Sequence, residues 1–270
     1  MIDLTLFSLP FFQRALIVGL LLAALMAILG VVVVLRRLSF FSDAIGHAAL
    51  TGIAIGLLLQ INPFISALIY TLLVAIAISG VRLKSHLSLD TLLGVFFAAS
   101  VALGVIIVQL TPGYQANLIS FLFGDILTVG NFDVILTLII TSAGAITMLL
   151  AGKTFIAITF NPALAKAEGI PVAVYELVFL LLLAATTALA IKFIGVILVT
   201  AMLIIPAASA QNISRTLASM FVISVSVGLA SVILGMSGSA ALGTASGPTI
   251  VLVSTAFFAL TLLLKPLAKI

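Results

Sequence analysis

Cysteine and tryptophan are absent from this 270-residue chain, and charged residues make up only 7% of it. A typical soluble domain carries roughly 25% charged residues. Without cysteine there are no disulfides and no thiolate metal sites. With 64% apolar residues, no soluble fold of this size hides its apolar surface, because much of any globular surface must face water. Lipid as solvent removes that conflict. The apolar runs are long and lack the period-2 alternation of a barrel strand, which leaves helices as the spanning element. The expectation is an all-α integral membrane protein, a polytopic bundle forming a single transmembrane domain over residues 1–270.

Nine apolar segments follow one another: Arg14–Leu35, Phe40–Leu59, Pro63–Gly80, Thr91–Leu110, Phe132–Leu150, Val172–Ile191, Ile194–Gln211, Leu217–Leu234 and Pro248–Leu264. An eight-span arrangement follows if Ala190 to Ala210 is organised differently. Leu118–Val129 is too short to cross a bilayer and reads as re-entrant or interfacial. The run from Ala15 is a full span, so it reads as a retained helix and not a cleaved leader.

The net charge of +4 does not point to nucleic acid, because the basic residues are scattered in short loops instead of forming a stripe. They report topology. With the N-terminus outside, Arg36, Arg37, Arg82, Lys84, Lys153, Lys166, Arg215, Lys265 and Lys269 fall in the cytoplasm, and only Arg14 and Lys192 fall outside. The C-terminus is then cytoplasmic. The largest cytoplasmic connection is Gly152 to Pro171. Within it, Asn161-Pro162 is a helix start, and Gly169 followed by Pro171 is a stop. This predicts a short helix lying outside the membrane. Small residues recur at helical spacing, Gly19, Ala23 and Ala27 in the first span and Ala48, Gly52 and Gly56 in the second, which lets helices approach closely.

Ionisable groups inside a membrane are functional candidates by default. Asp43 and His47 are four residues apart, and Thr51 continues the column, so one helix face carries a carboxylate, an imidazole and a hydroxyl. Asp plus His suits zinc, and also manganese or iron. The competing structural reading makes Ser42 or Asp43 a helix cap and His47 a polar gap-filler. Asp43 lies six residues past Arg37, about 9 Å along a helix, which puts the pair in the inner half or near the midplane. Pro206 removes a backbone hydrogen bond late in the seventh segment, and Ser209, Gln211 and Asn212 follow it. That reads either as a helix end or as a polar break lining a path. No role is read for Lys192.

Three motifs mislead. Gly152-Lys153-Thr154 looks like the end of a phosphate loop, but Thr147 stands where the earlier glycine is needed. No nucleotide-binding loop is therefore read, and the chain is not expected to be an enzyme. Gly235-Met236-Ser237-Gly238 matches a rhomboid-type serine motif, but both histidines, His47 and His86, precede it. Gly124-Asp125 resembles an aspartyl intramembrane protease motif, with Leu122 in place of the required glycine.

The segments RRLSFFSDAIGHAALTGIAIG, INPF, LDTLLGV, FLFGDIL, IKFIGVILVTAMLIIPAASA and ASGPTIVL occur in that order. In this the chain resembles the permease subunit of zinc and manganese ABC importers, nearest to the zinc-uptake permeases, over about Leu16 to Leu264. The resemblance implies an ATP-driven importer in a bacterial inner membrane. Its partners would be two cytoplasmic ATPase subunits, a second permease copy and an extracytoplasmic metal-binding protein. No cofactor would be bound permanently, and the transported divalent ion, zinc or manganese, would be the cargo. The metal residues would be Asp43 and His47. The ATPase-coupling helix would run from Asn161 to Gly169, with Pro162, Ala165 and Glu168 between them. Thr51, Pro206, Ser209 and Gln211 are the candidate path-lining residues. Asn161 stands where the family often has an acidic residue, and Gln211 and Asn212 stand where zinc-type members often have basic ones, so manganese or iron import stays open. A proton-coupled secondary metal transporter is the alternative of another class.

Overall fold

A computed structural model describes residues 9–85, 87–110, 124 and 129–264. The helices among them are α1 (Pro10–Leu35), α2 (Ser39–Leu58), α3 (Pro63–Lys84), α4 (Leu89–Leu110), α5 (Asn131–Phe160), α6 (Pro162–Ala167), α7 (Val172–Ile194), α8 (Val196–Ile213), α9 (Leu217–Leu242) and α10 (Ser246–Leu263). Eight of these are long and apolar enough to cross a bilayer. The remaining apolar segment forms α8, an 18-residue helix packed among α1, α2, α9 and α10. The expected re-entrant stretch Leu118–Val129 lies, apart from Gly124 and Val129, outside the described residues.

Helix ends follow local chemistry. Asn62 caps α3, its Oδ1 accepting from the Phe64 and Ile65 amides, with Pro63 in the first turn. Thr216 caps α9 by accepting from the Ser219 amide. One boundary differs from expectation. The helix beginning at Asn131 runs through Gly152 to Phe160, ten residues beyond the expected end at Leu150. The following residues, KTFIAITF, keep an apolar face that buries Phe155 and Ile158. That burial outweighs the roughly 1 kcal/mol cost of a glycine in a helix. The connection between α5 and α7 therefore starts at Asn161, not at Gly152.

The small-residue columns are packing seams. A Cβ on Gly52 would sit 2.6 Å from the Ala67 Cα, and one on Gly56 would sit 2.7 Å from the Pro63 Cα, so α2 and α3 meet backbone to backbone. On α1, Ala23 and Ala27 face Gly228 of α9, where Ser224 also donates a 2.9 Å hydrogen bond to the Ala27 carbonyl. α7 and α8 are separated by one residue, Gly195, at φ 90°, a conformation that suits glycine. This turn is buried, with Phe193, Ile194 and Val196 each at most 3% exposed. The backbone of Gly124 presses on it, 2.5 Å separating an added Cβ from the Phe193 carbonyl oxygen.

Lys192, to which the sequence assigned no role, has one here. Its Nζ lies 2.6 Å from the Asp133 carboxylate and 5.5 Å from the centre of the Phe64 ring. Asp133 also accepts from the Gly130 amide at 2.8 Å. The start of α5, the end of α7 and the start of α3 are thereby joined at one end of the bundle. Side-chain exposure is 25% for Lys192 and 6% for Asp133, so each charge depends on the other. Removing one partner of a buried pair costs about 3–5 kcal/mol. Asp133→Ala should therefore destabilise the protein strongly in equilibrium unfolding in mild detergent. The double variant Asp133→Leu/Lys192→Met should lose less than the two single losses combined, and strict additivity would mean the pair is not coupled.

Candidate metal path and coupling elements

α2 begins at Ser39 with Leu38 at its N-cap and no capping side chain. Asp43 is therefore inside the helix, and the capping explanation for it does not hold. Ser42 turns towards α7, its Oγ 3.5 Å from Thr187 Oγ1. Asp43 and His47 share a different, half-buried face. The His47 ring meets Phe97 of α4 edge-on, centroids 4.8 Å apart. Gly46, between the two polar residues, lies against Val196 at the start of α8, where an added Cβ would sit 3.2 Å from a Val196 methyl. The pair occupies the fifth and ninth positions of the 20-residue α2, in the half nearest the arginines.

Thr51 is buried. Its hydroxyl donates to the Ser100 carbonyl of α4 at 2.6 Å, so its proton is committed to joining the two helices. Its oxygen lone pairs remain. With His47, Gly104, Val108 and Gln109 it lines an apolar cavity of about 200 Å³. Gln109 is the polar group in this cavity that the sequence reading missed. Its signal was a lone amide in the otherwise apolar VIIVQL.

The other candidate path residues stand apart from the pair. Pro206 is buried inside α8, ten residues after Val196, or about 15 Å along the helix. Ser209 spends its hydroxyl on the Ile205 carbonyl at 2.8 Å. Gln211 is exposed near the end of the helix. Among the described residues no group of three or more His, Asp or Glu side chains comes together. Asp43 and His47 therefore stand without a third His, Asp or Glu beside them among the described residues.

The expected short helix is present as α6. Asn161 Oδ1 accepts from the Leu164 amide at 3.0 Å, and Pro162 fills the first turn. Gly169, at φ 82° with open space around it, ends the element. Asn161, Pro162, Glu168 and Gly169 are exposed, whereas Ala165 is 2% exposed and faces the protein. Beside α6 a cavity of about 370 Å³ is lined by Arg36, Arg37, Arg82, Asp90, Thr159 and Glu176, among others. Arg82 and Glu176 form a 3.0 Å ion pair. Burial pushes the Arg36 guanidinium below its ordinary value, Glu176 pulls it back up and Arg82 pushes it down. The positive residues Arg36 and Arg37 of the α1–α2 turn and Arg82 of the last turn of α3 thus gather at one end of the bundle, opposite the Asp133–Lys192 pair.

Comparison with known proteins gives consistent relatives. The chain is 37% identical over 248 residues to the high-affinity zinc uptake system membrane protein ZnuB of Haemophilus influenzae, covering 92% of this chain and 95% of that protein. It is 35% identical over 256 residues to the manganese transport system membrane protein MntC of Listeria monocytogenes, covering 95% and 91%. Among solved structures, PsaBC from Streptococcus pneumoniae in complex with a Fab superposes with a TM-score of 0.84 at 32% identity, over 97% of this chain and 94% of that one. The model of the ABC 3 transport family matches residues 8–265, and the chain belongs to that family.

Proposed function

We propose that the chain is the membrane-spanning permease of an ATP-driven importer of divalent transition-metal ions, zinc in the first place and manganese in the second. The observation that carries this reading is the Asp43–His47 pair on one half-buried face of α2, with His47 at a cavity and no third acidic or histidine partner among the described residues. A carboxylate offsets part of the ion's lost hydration. A neutral imidazole favours transition metals over magnesium and calcium. The relatives' names add zinc and manganese transport as the roles of similar proteins.

Two donors per chain suit a dimer in which a second copy brings its own Asp43 and His47 to a shared central path. Thr51 and Gln109 line the wall beside it, and the Pro206–Gln211 stretch lines its further course. The surface formed by Asn161, Pro162, Glu168 and Gly169 is the docking site for a cytoplasmic ATPase, two copies of which hydrolyse the ATP. Ala165 anchors that helix to the permease from within. An extracytoplasmic binding protein delivers the ion. This arrangement sets the arginine-rich end in the cytoplasm of a bacterial inner membrane, with the N-terminus outside and the C-terminus inside.

Asp43→Ala and His47→Ala should each reduce metal uptake, normalised to folded protein, by at least roughly tenfold, the lower bound for losing even an outer partner of a metal ligand. The double variant should be little worse than either single one, since both act on one site. Thr51→Ala should do less. Near-normal uptake per folded molecule in His47→Ala would make the pair a packing feature. For orientation, a cysteine placed at Ala163, exposed on α6, should resist an impermeant thiol reagent added outside intact cells. Labelling from outside would invert the topology.

A further inference from the structure

We propose that Arg36 is a positioning residue that ties the ATPase-facing helix α6 to the metal-bearing helix α2, so that movement of the first displaces the second. Arg36 stands in the short turn between α1 and α2. Its Nε donates to Thr159 Oγ1 at 2.8 Å, and its Nη2 donates to the Phe155 carbonyl at 3.4 Å. Its guanidinium also lies over the Phe179 ring, 5.4 Å from the centroid. Thr159 in turn donates to the same Phe155 carbonyl at 2.6 Å. These contacts fasten the turn to the last helical turn of α5. Asn161, the cap of α6, comes two residues after Thr159. On the other side of the tie, α2 begins at Ser39, three residues after Arg36, and reaches Asp43 four residues later.

The surroundings favour transmission over static support. On one side the tie rests on the buried Phe155 and Phe179 rings, and on the other it is open. It borders the polar cavity of about 370 Å³, whose opposite walls belong to α3, α4 and α7. The α1–α2 turn therefore has room to shift against α3 and α4 across the cavity while its contacts to α5 and to Phe179 of α7 hold. Arg37 in the same turn adopts φ 57° without being glycine. That conformation is uncommon for such a residue and is kept only where neighbouring contacts hold it. A planar guanidinium with several fixed donors suits this task. A lysine ammonium, a single compact charge, cannot reproduce both bonds and the ring contact at once.

This inference rests on the permease reading, and the test separates the two. The complex of permease, ATPase and binding protein is placed in liposomes, and ATP hydrolysis and zinc uptake are measured together for the parent chain, Arg36→Lys and Thr159→Val. Thr159→Val leaves the arginine in place and removes the hydroxyl that accepts from Arg36 and donates to the Phe155 carbonyl. In both variants the ATPase should still copurify and hydrolyse ATP, while zinc moved per ATP should fall by roughly tenfold, the scale of one lost charge-assisted hydrogen bond. An unchanged ratio, or uptake and hydrolysis falling in proportion, would overturn the tie. A parent chain that neither binds an ATPase nor moves zinc would instead overturn the permease reading.

Discussion

α2 is held by contacts closer than ordinary side-chain packing allows. Gly52 meets Ala67 and Gly56 meets Pro63 across the seam with α3, Gly46 meets Val196 of α8, and the Thr51 hydroxyl reaches a carbonyl of α4, where Gly104 leaves room for it. In lipid there is no hydrophobic force to push helices together, so such close approach and interhelical hydrogen bonds do the holding. The consequence for the site is geometric. With its other faces committed, α2 has one face left partly open, and that face carries Asp43 and His47. Any larger residue in the seams would rotate or tilt the helix and move both donors together.

The remaining charges lie where burial is least costly or is compensated. At one end, Arg36 and Arg82 are satisfied by Thr159, Phe155 and Glu176. At the other, Lys192 and Asp133 neutralise each other. Between the two ends, Asp43 and His47 have no such partner among the described residues. Ionisable groups without one are expensive within a bilayer, and in the proposed path a passing cation would supply that compensation. A pair left incomplete in this way favours transient occupancy over tight retention, which is what an import path requires.

Much of this was legible in the sequence because it is local. Spans follow from runs of apolar residues. The α6 cap follows from Asn161-Pro162 and its stop from Gly169, both set by backbone geometry. The glycine columns of α1 and α2 follow from helical periodicity. The Asp43–His47 face needs only a spacing of four. What was not legible depends on residues far apart in the chain. Lys192 and Asp133 are separated by 59 positions, and Arg36 and Thr159 by 123. No local rule pairs them. The end of α5 was misplaced because the apolar run breaks at Gly152-Lys153, while the burial of Phe155 and Ile158 that carries the helix on is a tertiary effect. Gln109 was overlooked because a lone amide near a helix end is ordinary until the cavity beside it is seen.

The central claim is that the ion touches Asp43 and His47 in transit, and X-ray absorption spectroscopy tests it most directly. The permease–ATPase complex, freed of its binding protein and loaded with zinc, should show low-coordinate zinc with oxygen donors and imidazole scattering. In His47→Ala the imidazole contribution should disappear or the zinc should be lost. Imidazole scattering that persists unchanged in that variant, or a purely oxygen-ligated zinc in the parent, would contradict the account.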